Sequence, residues 1–155
     1  MMQKHDYIVI SADLIDAHDI AVLEKEYFSQ PWSYEQIYDE IIKPNCIFLS
    51  AKSSDKVIGY VSGQMILDEF YISNIAVSNE FRNQGVASAL LTELISAVKK
   101  LKASFITLEV RESNIPAKKL YEKFGFENLG VRKNFYSHPT ENANIYTIYF
   151  NNEVN

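Results

Sequence analysis

A short polar turn between two apolar segments carries residue types that bind phosphate-like anions. The apolar segment Ile75-Ala76-Val77 ends before this turn, and Arg82-Asn83-Gln84-Gly85-Val86-Ala87 opens a stretch of helical spacing. Such a junction directs unpaired backbone N–H groups and the positive end of a helix dipole towards one point. Glycine at position 85 lets a phosphate approach the backbone, and Arg82 can add a charge-assisted contact. The pattern predicts an anion site, although the same residues also suit an ordinary loop-to-helix junction.

Two further residues, Glu109 and Tyr121, could move protons. Alternation along residues 105–111 places Glu109 on the face of a strand opposite its apolar side chains. Asn114, Lys118 and Tyr121 follow helical spacing, so Tyr121 can project back towards that strand. Without other information Glu109 also reads as a solvated strand residue, and Tyr121 as a core aromatic.

Other reactive side chains do not form a second centre in the sequence. No Lys-Ser or Lys-Thr follows Gly85, so a nucleotide-binding P-loop is not supported. Cys46 begins an apolar segment with no neighbouring histidine, which favours a small buried side chain over a covalent nucleophile. His5, His18 and His138 are scattered, and no pair has the spacing of metal ligands. We therefore expect neither a covalent intermediate on the chain nor a metal.

The elements that position these residues alternate between strand and helix patterns. Hydrophobic periodicity, the N-cap at Ser33, the stop at Pro44 and the glycine at 125 predict the order β-α-α-β-β-β-α-β-α-β-β. The strands are expected at residues 7–10, 47–49, 57–61, 70–77, 105–110, 132–136 and 145–150, and the helices at 13–27, after 33, after 85 and at 116–124. Ala89, Leu90, Leu94, Ile95 and Val98 should form the buried stripe of the third helix. The prediction is one mixed α/β (α+β) domain over residues 1–155.

Composition limits the classes of protein to which the chain can belong. It has 155 residues, 47% of them hydrophobic, which is enough to bury one core. The net charge of −5 argues against a general nucleic-acid binder and suits a basic partner. One cysteine suggests a reducing compartment, and no apolar run approaches the length of a membrane span. Because charge follows at Lys4, unlike in a signal peptide, we expect a cytoplasmic protein that contacts neither membrane nor nucleic acid.

The motif Arg82-x-x-Gly85-x-Ala87 after Ile75-Ala76-Val77 resembles the acetyl-CoA pyrophosphate loop of the GNAT acetyltransferases. The element order is similar to the fold of that family, a mixed and mostly antiparallel sheet flanked by helices. Two further stretches resemble its RimI-type branch, the ribosomal-protein-alanine N-acetyltransferases. These are Gln30-Pro31-Trp32-Ser33, and Leu108-Glu109-Val110-Arg111-Glu112-Ser113-Asn114 followed by Leu120-Tyr121-Glu122-Lys123-Phe124-Gly125-Phe126.

The resemblance implies an enzyme that transfers acetyl from acetyl-CoA to a protein N-terminus. The favoured acceptor is the N-terminal alanine of a basic small-subunit ribosomal protein, with Glu109 as general base, Tyr121 as general acid and no metal. Asn114 would hydrogen-bond the pantetheine arm. The cofactor-binding residues implied are Ile75, Ala76, Val77, Arg82, Asn83, Gln84, Gly85, Val86, Ala87, Asn114, Ala117 and Lys118. Asn83 and Gln84 stand where the family often has arginines, and Ala87 replaces a frequent glycine, so backbone amides should carry more of the phosphate affinity.

Two aromatic residues are expected on the acceptor side. Trp32 is either an exposed wall for the incoming peptide or a plug over the first two helices. Tyr136 belongs either to a plain strand or, as the resemblance implies, to one border of the peptide cleft. The alternatives for function are a GNAT acetyltransferase acting on a small-molecule amine or a lysine side chain, and a non-catalytic acetyl-CoA-binding module.

Overall fold

The structure, a computed structural model that describes residues 6–151, has the expected order of strands and helices. Lys4 and His5, which entered two of the predictions above, lie outside these residues. The elements are β1 (Ile8–Ser11), α1 (Ala17–Tyr27), α2 (Tyr34–Ile42), β2 (Cys46–Ser53), β3 (Lys56–Ile66), β4 (Glu69–Val77), α3 (Val86–Lys100), β5 (Phe105–Arg111), α4 (Ile115–Lys123), β6 (Glu127–Tyr136) and β7 (Glu141–Tyr149). The predicted fold class is confirmed.

The seven strands form one sheet in which a single neighbouring pair is parallel. The strand order is β1-β2-β3-β4-β5-β7-β6, and all neighbours are antiparallel except β4 and β5. The parallel pairing joins only Glu69–Tyr71 to Phe105–Thr107. Beyond these residues β4 stays paired with β3 and β5 stays paired with β7. The middle of the sheet therefore opens into a gap.

A β-bulge lies in β4 at the start of this gap. Ser62 pairs with Asn74 while Gly63 pairs with Ile72, so β4 has one extra residue. Only glycine fits at position 63, because an added Cβ would lie 2.4 Å from the Tyr71 carbonyl oxygen. Bulges bend the strand that carries them. This bulge accompanies the departure of β4 from β5.

Helices cover both faces of the sheet, which is why successive side chains of the central strands enter different cores. Along β3, Val57 and Tyr60 pack with α1 and α2, whereas Ile58 and Val61 pack with α3. Neighbouring side chains thus point to opposite faces, and the spacing of three residues within each pair reflects a β-bulge, where Ala51 pairs with Gly59 and Lys52 pairs with Val57. Ser33 starts α2 with a capping box, its hydroxyl accepting the Gln36 N–H at 3.2 Å.

The structure differs from the expected elements in several places. The strands β2 (Cys46–Ser53) and β3 (Lys56–Ile66) are longer than the expected 47–49 and 57–61, because they pair with each other along the whole length of β2. The first helix begins with a 3₁₀ turn, Leu14–Asp16, because the Asp13 side chain caps that turn. The strands β6 and β7 are longer than predicted, because they pair as a hairpin up to Tyr136 and Glu141. In α3 the fully buried stripe includes Leu91, whereas Ala89 and Ile95 are only partly buried. Across residues 6–151 no helix has the length and apolar character needed to cross a membrane.

Candidate functional site

A cleft of about 400 Å³ opens where β4 and β5 separate. Its walls are the end of β4, the turn before α3, the first turn of α3 and one side of α4. It is lined by most of the residues predicted to bind the cofactor and by one predicted catalytic residue: Ile75, Ala76, Val77, Arg82, Asn83, Gly85, Val86, Ala87, Asn114, Ala117 and Tyr121. The structure thus brings two distant stretches of sequence together around one cavity.

The N-terminus of α3 forms one wall and is suited to an anion. Gly85 precedes the helix with φ of 82°, in the left-handed region that favours glycine, and Asn83 has φ of 61°. An added Cβ on Gly85 would meet only the Tyr7 Oη, at 3.8 Å, so this side of the backbone is open. The first amides of a helix have no acceptor within it, and Val86 and Ala87 belong to the cleft wall. They can donate to a phosphate there.

Arg82 is held in place by contacts from two directions. Its Nε donates to the Val77 carbonyl oxygen at 3.1 Å, and its guanidinium carbon lies 4.6 Å from the centre of the Tyr27 ring. The Tyr27 hydroxyl in turn accepts the Asn79 N–H at 2.7 Å. Tyr27, at the end of α1, was not predicted as a site residue, because nothing in its local sequence links it to a turn in another element.

Two of the predicted cofactor residues do not line the cleft. The Gln84 Nε2 donates to the Glu80 carbonyl oxygen at 3.0 Å, and the Lys118 Nζ donates to the Glu112 carbonyl oxygen at 3.3 Å. Both side chains thereby support their own segments. Asn114 does line the cleft, and it also caps α4, where its Oδ1 accepts the Ala117 N–H at 3.2 Å.

Glu109 lies outside the lining of the cleft, on the face of β5 predicted for it. Residues of β5 alternate between partly exposed and buried, and Glu109 is among the former. Its carboxylate forms an ion pair with the Arg132 Nε at 3.2 Å, and 29% of its side chain is exposed. Solvent and a cationic group can both reach this carboxylate, so it is accessible to an amine.

Tyr121 reaches the cleft from the α4 side. It is almost fully buried, with the rings of Phe126 and Tyr146 centred 5.8 Å and 6.1 Å from its own. Burial raises the pKa of the Tyr121 hydroxyl well above its ordinary value, and Tyr136 adds to the effect. The hydroxyl therefore keeps its proton at neutral pH.

Tyr136 lies within electrostatic reach of both predicted catalytic residues. Burial, followed by the charge of Glu109, raises the pKa of Tyr136 to about 12, while Arg111 opposes the shift. The Arg111 guanidinium carbon lies 4.4 Å from the centre of the Tyr136 ring. Glu109, Tyr121 and Tyr136 therefore form one neighbourhood beside β5.

Arg111 joins the segments that border this neighbourhood. It donates to the Ser137 and Pro139 carbonyl oxygens at 3.2 Å and 3.0 Å, and forms an ion pair with Glu141 at 3.2 Å. Gln30 Nε2 reaches the same turn, donating to the Ser137 hydroxyl at 2.9 Å. The segment between α1 and α2 is thus tied to the β6–β7 turn.

Trp32 is half-buried and packs against the cluster formed by α1 and α2. This agrees with a plug over the two helices, and a role in substrate binding stays a prediction. Its backbone N–H donates to Glu24 Oε2 at 3.1 Å.

Glu24 is a fully buried carboxylate that was missed in the sequence. Besides the Trp32 N–H it accepts the Asn74 Nδ2 at 2.6 Å and the Tyr60 hydroxyl. Burial, with the Glu24 charge, raises the pKa of Tyr60 far above its usual range. Asn74 immediately precedes Ile75, so this carboxylate links α1 and the α1–α2 segment to the strand that lines the cleft.

The remaining reactive groups offer no second centre within the described residues. Burial, with the charge of Glu40, raises the pKa of the half-buried Cys46 thiol to about 12, so the thiol stays protonated. No three His, Cys, Asp or Glu side chains within residues 6–151 come close enough to hold a metal ion.

The sequence of this chain is similar to the sequences of known acetyltransferases. The family model for the acetyltransferase (GNAT) family matches residues 14–126. The chain is 34% identical over 139 residues to the [ribosomal protein bS18]-alanine N-acetyltransferase of Haemophilus ducreyi, covering 86% of this chain and 94% of that protein. The enzyme of that name from Haemophilus influenzae is 31% identical over 145 residues, covering 92% and 98%.

A solved structure has the same fold. The crystal structure of the ribosomal-protein-S18-alanine N-acetyltransferase from Escherichia coli matches with a TM-score of 0.86 and 26% identity, over 97% of this chain and 99% of that one. The split sheet, the helix N-terminus in the cleft, the family match and the identities to these relatives lead to one conclusion. The chain belongs to the GNAT family of acetyltransferases and is an N-acetyltransferase.

Proposed function

We propose that this enzyme transfers the acetyl group of acetyl-CoA to the N-terminal α-amine of a protein, with the N-terminal alanine of a small-subunit ribosomal protein as its acceptor. The observation that carries the proposal is the cleft between β4 and β5, which has a helix N-terminus suited to an anion on one side and Tyr121 on the other. The names of the relatives support the choice of acceptor.

Acetyl-CoA fits the two kinds of wall that the cleft presents. The open backbone at Gly85 and the first amides of α3 suit the pyrophosphate, with Arg82 beside them. Asn114 and Ala117 face them from α4 and suit the pantetheine arm. The acetyl group would then lie beside the end of β4, where a backbone N–H of residues 75–77 can stabilise the oxyanion.

The acceptor amine must lose a proton before it attacks. A free α-amine has a pKa of about 8, so it is largely protonated at neutral pH. Glu109, directly or through a water molecule, accepts that proton. Its ion pair with Arg132 shows that a cationic group can occupy the space beside the carboxylate, and the substrate ammonium would replace Arg132 there.

The second half of the reaction needs a proton donor at the sulfur. Attack forms the N–C bond, and collapse of the tetrahedral intermediate breaks the C–S bond and releases the thiolate of CoA. Tyr121 lines the cleft with a raised pKa and gives its proton to this thiolate. The Cys46 thiol, protonated and half-buried, has no part in this direct transfer.

The experiment that tests the proposal is a thiol-release assay with acetyl-CoA and four acceptors of matched length. These are a peptide with an N-terminal alanine, the same peptide with that amine blocked, a blocked peptide with an internal lysine, and a polyamine. We expect thiol release only with the free N-terminal alanine. Release with the lysine peptide or the polyamine would assign another amine as acceptor, and binding of acetyl-CoA without release would indicate a non-catalytic module.

A further inference from the structure

We propose that Tyr27 is a positioning residue for the phosphate side of the cleft. Its hydroxyl and its ring together hold the turn between β4 and α3, so that the affinity for acetyl-CoA depends on a residue of α1. This inference rests on the proposed function, since it takes acetyl-CoA as the ligand of the cleft.

One side chain makes two different contacts with this turn. The Tyr27 hydroxyl accepts the Asn79 N–H at 2.7 Å, and the face of its ring lies 4.6 Å from the Arg82 guanidinium carbon. Asn79 begins the 3₁₀ turn Asn79–Phe81, and Arg82 follows it. Tyr27 therefore contacts the first residue of the 3₁₀ segment and the residue that follows it.

The contact with the Tyr27 ring restricts the side chain of Arg82, the residue of this turn that can pair with a phosphate. It is the only Lys or Arg between residues 78 and 88, and Glu80 in the same turn is acidic. An unrestrained arginine side chain loses rotamer entropy when a ligand fixes it. Here the Tyr27 ring and the Val77 carbonyl oxygen already restrict the side chain beside the cleft. A phosphate would meet a cation that is already positioned.

Hydrogen bonds hold the C-terminal end of α1, which carries Tyr27, in place. Glu24, one turn earlier in α1, is fully buried and accepts hydrogen bonds from Asn74 of β4 and from the backbone of Trp32. Phe28 ends the helix, with its N–H bonded to the Glu24 carbonyl oxygen at 2.9 Å. Tyr27 thus projects from a helix that is fixed to the strand leading into the turn.

Calorimetric titration of acetyl-CoA into Tyr27→Phe and Tyr27→Leu tests the proposal. Tyr27→Phe keeps the ring and loses the hydroxyl, so we expect the Kd to rise about three- to fivefold. Tyr27→Leu also loses the ring beneath Arg82, and its Kd should rise at least tenfold. The matched controls are the same substitutions at Tyr149, an exposed residue at the end of β7 that pairs with Phe105 at the start of β5. These control substitutions should leave the Kd unchanged.

A second donor separates positioning of the phosphate side from a general structural role. S-acetylpantetheine lacks the phosphates, so its kcat/KM should stay within twofold of wild type in both variants, while kcat/KM for acetyl-CoA falls. An unchanged Kd for acetyl-CoA in Tyr27→Phe and Tyr27→Leu would overturn the inference, as would equal losses with both donors. If Tyr27→Leu fails to fold, Tyr27→Phe alone decides. A wild-type protein that does not bind acetyl-CoA would instead refute the proposed function.

Discussion

Replacing the buried carboxylate Glu24 by leucine should destabilise the protein without touching the cleft directly. Leucine is one bond shorter than glutamate but suits the apolar cluster packed against α1, so the main change is the loss of the acceptor. Three donors then lose their acceptor: the Trp32 N–H, the Asn74 amide and the Tyr60 hydroxyl.

The expected loss follows from the burial of those donors. A buried donor without a partner costs about 1–3 kcal/mol. Tyr60 is completely buried, whereas Asn74 is partly exposed and can recover some hydration. We therefore expect Glu24→Leu to lower the free energy of unfolding by about 3–5 kcal/mol, the sum for the buried donors that lose their acceptor. In a domain of this size that corresponds to a fall in Tm of roughly 6–20 °C.

A double-mutant cycle measured by urea unfolding tests this account. Tyr60→Phe alone should cost about 1.5–3 kcal/mol, because the hydroxyl is lost from a charged acceptor. Combined with Glu24→Leu it should cost less than the sum by about 1–2 kcal/mol, because the donor stranded by the first change is then absent. The control is Glu26→Leu on the exposed side of the same helix, expected within about 0.5 kcal/mol of wild type. A loss below 1 kcal/mol for Glu24→Leu, or strict additivity in the cycle, would refute the reasoning.

Three further outcomes are expected. Glu109→Gln should lower kcat/KM by roughly 10²–10⁴ and recover partly at high pH, where the amine is already neutral, whereas Tyr121→Phe should show no alkaline recovery in the same pH–rate profiles. Because the chain carries a net charge of −5, raising the ionic strength should lower kcat/KM for a basic acceptor peptide more than for a neutral one with the same first residue, and equal salt sensitivity would contradict this. The Glu141 pKa is lowered by its hydrogen bonds to Ser113 and by Arg111, so the stabilisation it gives is complete above its ordinary pKa and is lost as the pH falls through the lowered pKa. In thermal melts, Glu141→Gln should therefore be less stable than wild type at neutral pH, and this difference should shrink as the pH falls below the ordinary pKa of a glutamate.

Local patterns in the sequence were sufficient to predict the order of the strands and helices, whereas the mixed, mostly antiparallel sheet was implied by the resemblance to a family. Alternation in β5, the N-cap at Ser33 and the turn at Gly85 are all determined by neighbours in sequence, and the structure has them where they were expected. The lengths of β6 and β7 were not predictable in the same way, because most residues of β6 are exposed and lack a clear apolar alternation.

Of the residues that line the cleft, the sequence predicted only those that belong to a recognisable motif. Residues 75–87 and Asn114 were placed together by the resemblance to a family, whereas the residues alone left a loop-to-helix junction open. Gln84 and Lys118 were assigned by their position in the motif, yet their side chains bond to nearby backbone carbonyls. Spacing along a helix or turn shows which residues can reach a cavity but does not show which local acceptor competes for them.

The supporting contacts were missed because their partners are far apart in sequence. Glu24 bonds to residues 36 and 50 positions away, and the Tyr27 hydroxyl to a residue 52 positions away. An acidic residue in an amphipathic helix is usually solvated, so the pattern of α1 gave no reason to bury Glu24. Only the packing of α1 across β3 and β4 places a carboxylate and a phenol at these points.

The central claim is that the acetyl group goes from acetyl-CoA to an N-terminal α-amine. Its most direct test is tandem mass spectrometry of a basic peptide with an N-terminal alanine and internal lysines after incubation with the purified enzyme and acetyl-CoA. We expect one added acetyl group, located on the alanine nitrogen, and no added acetyl group over the same time when the Glu109→Gln variant replaces the wild-type enzyme. An unmodified peptide, or an acetyl group on a lysine side chain, would contradict it.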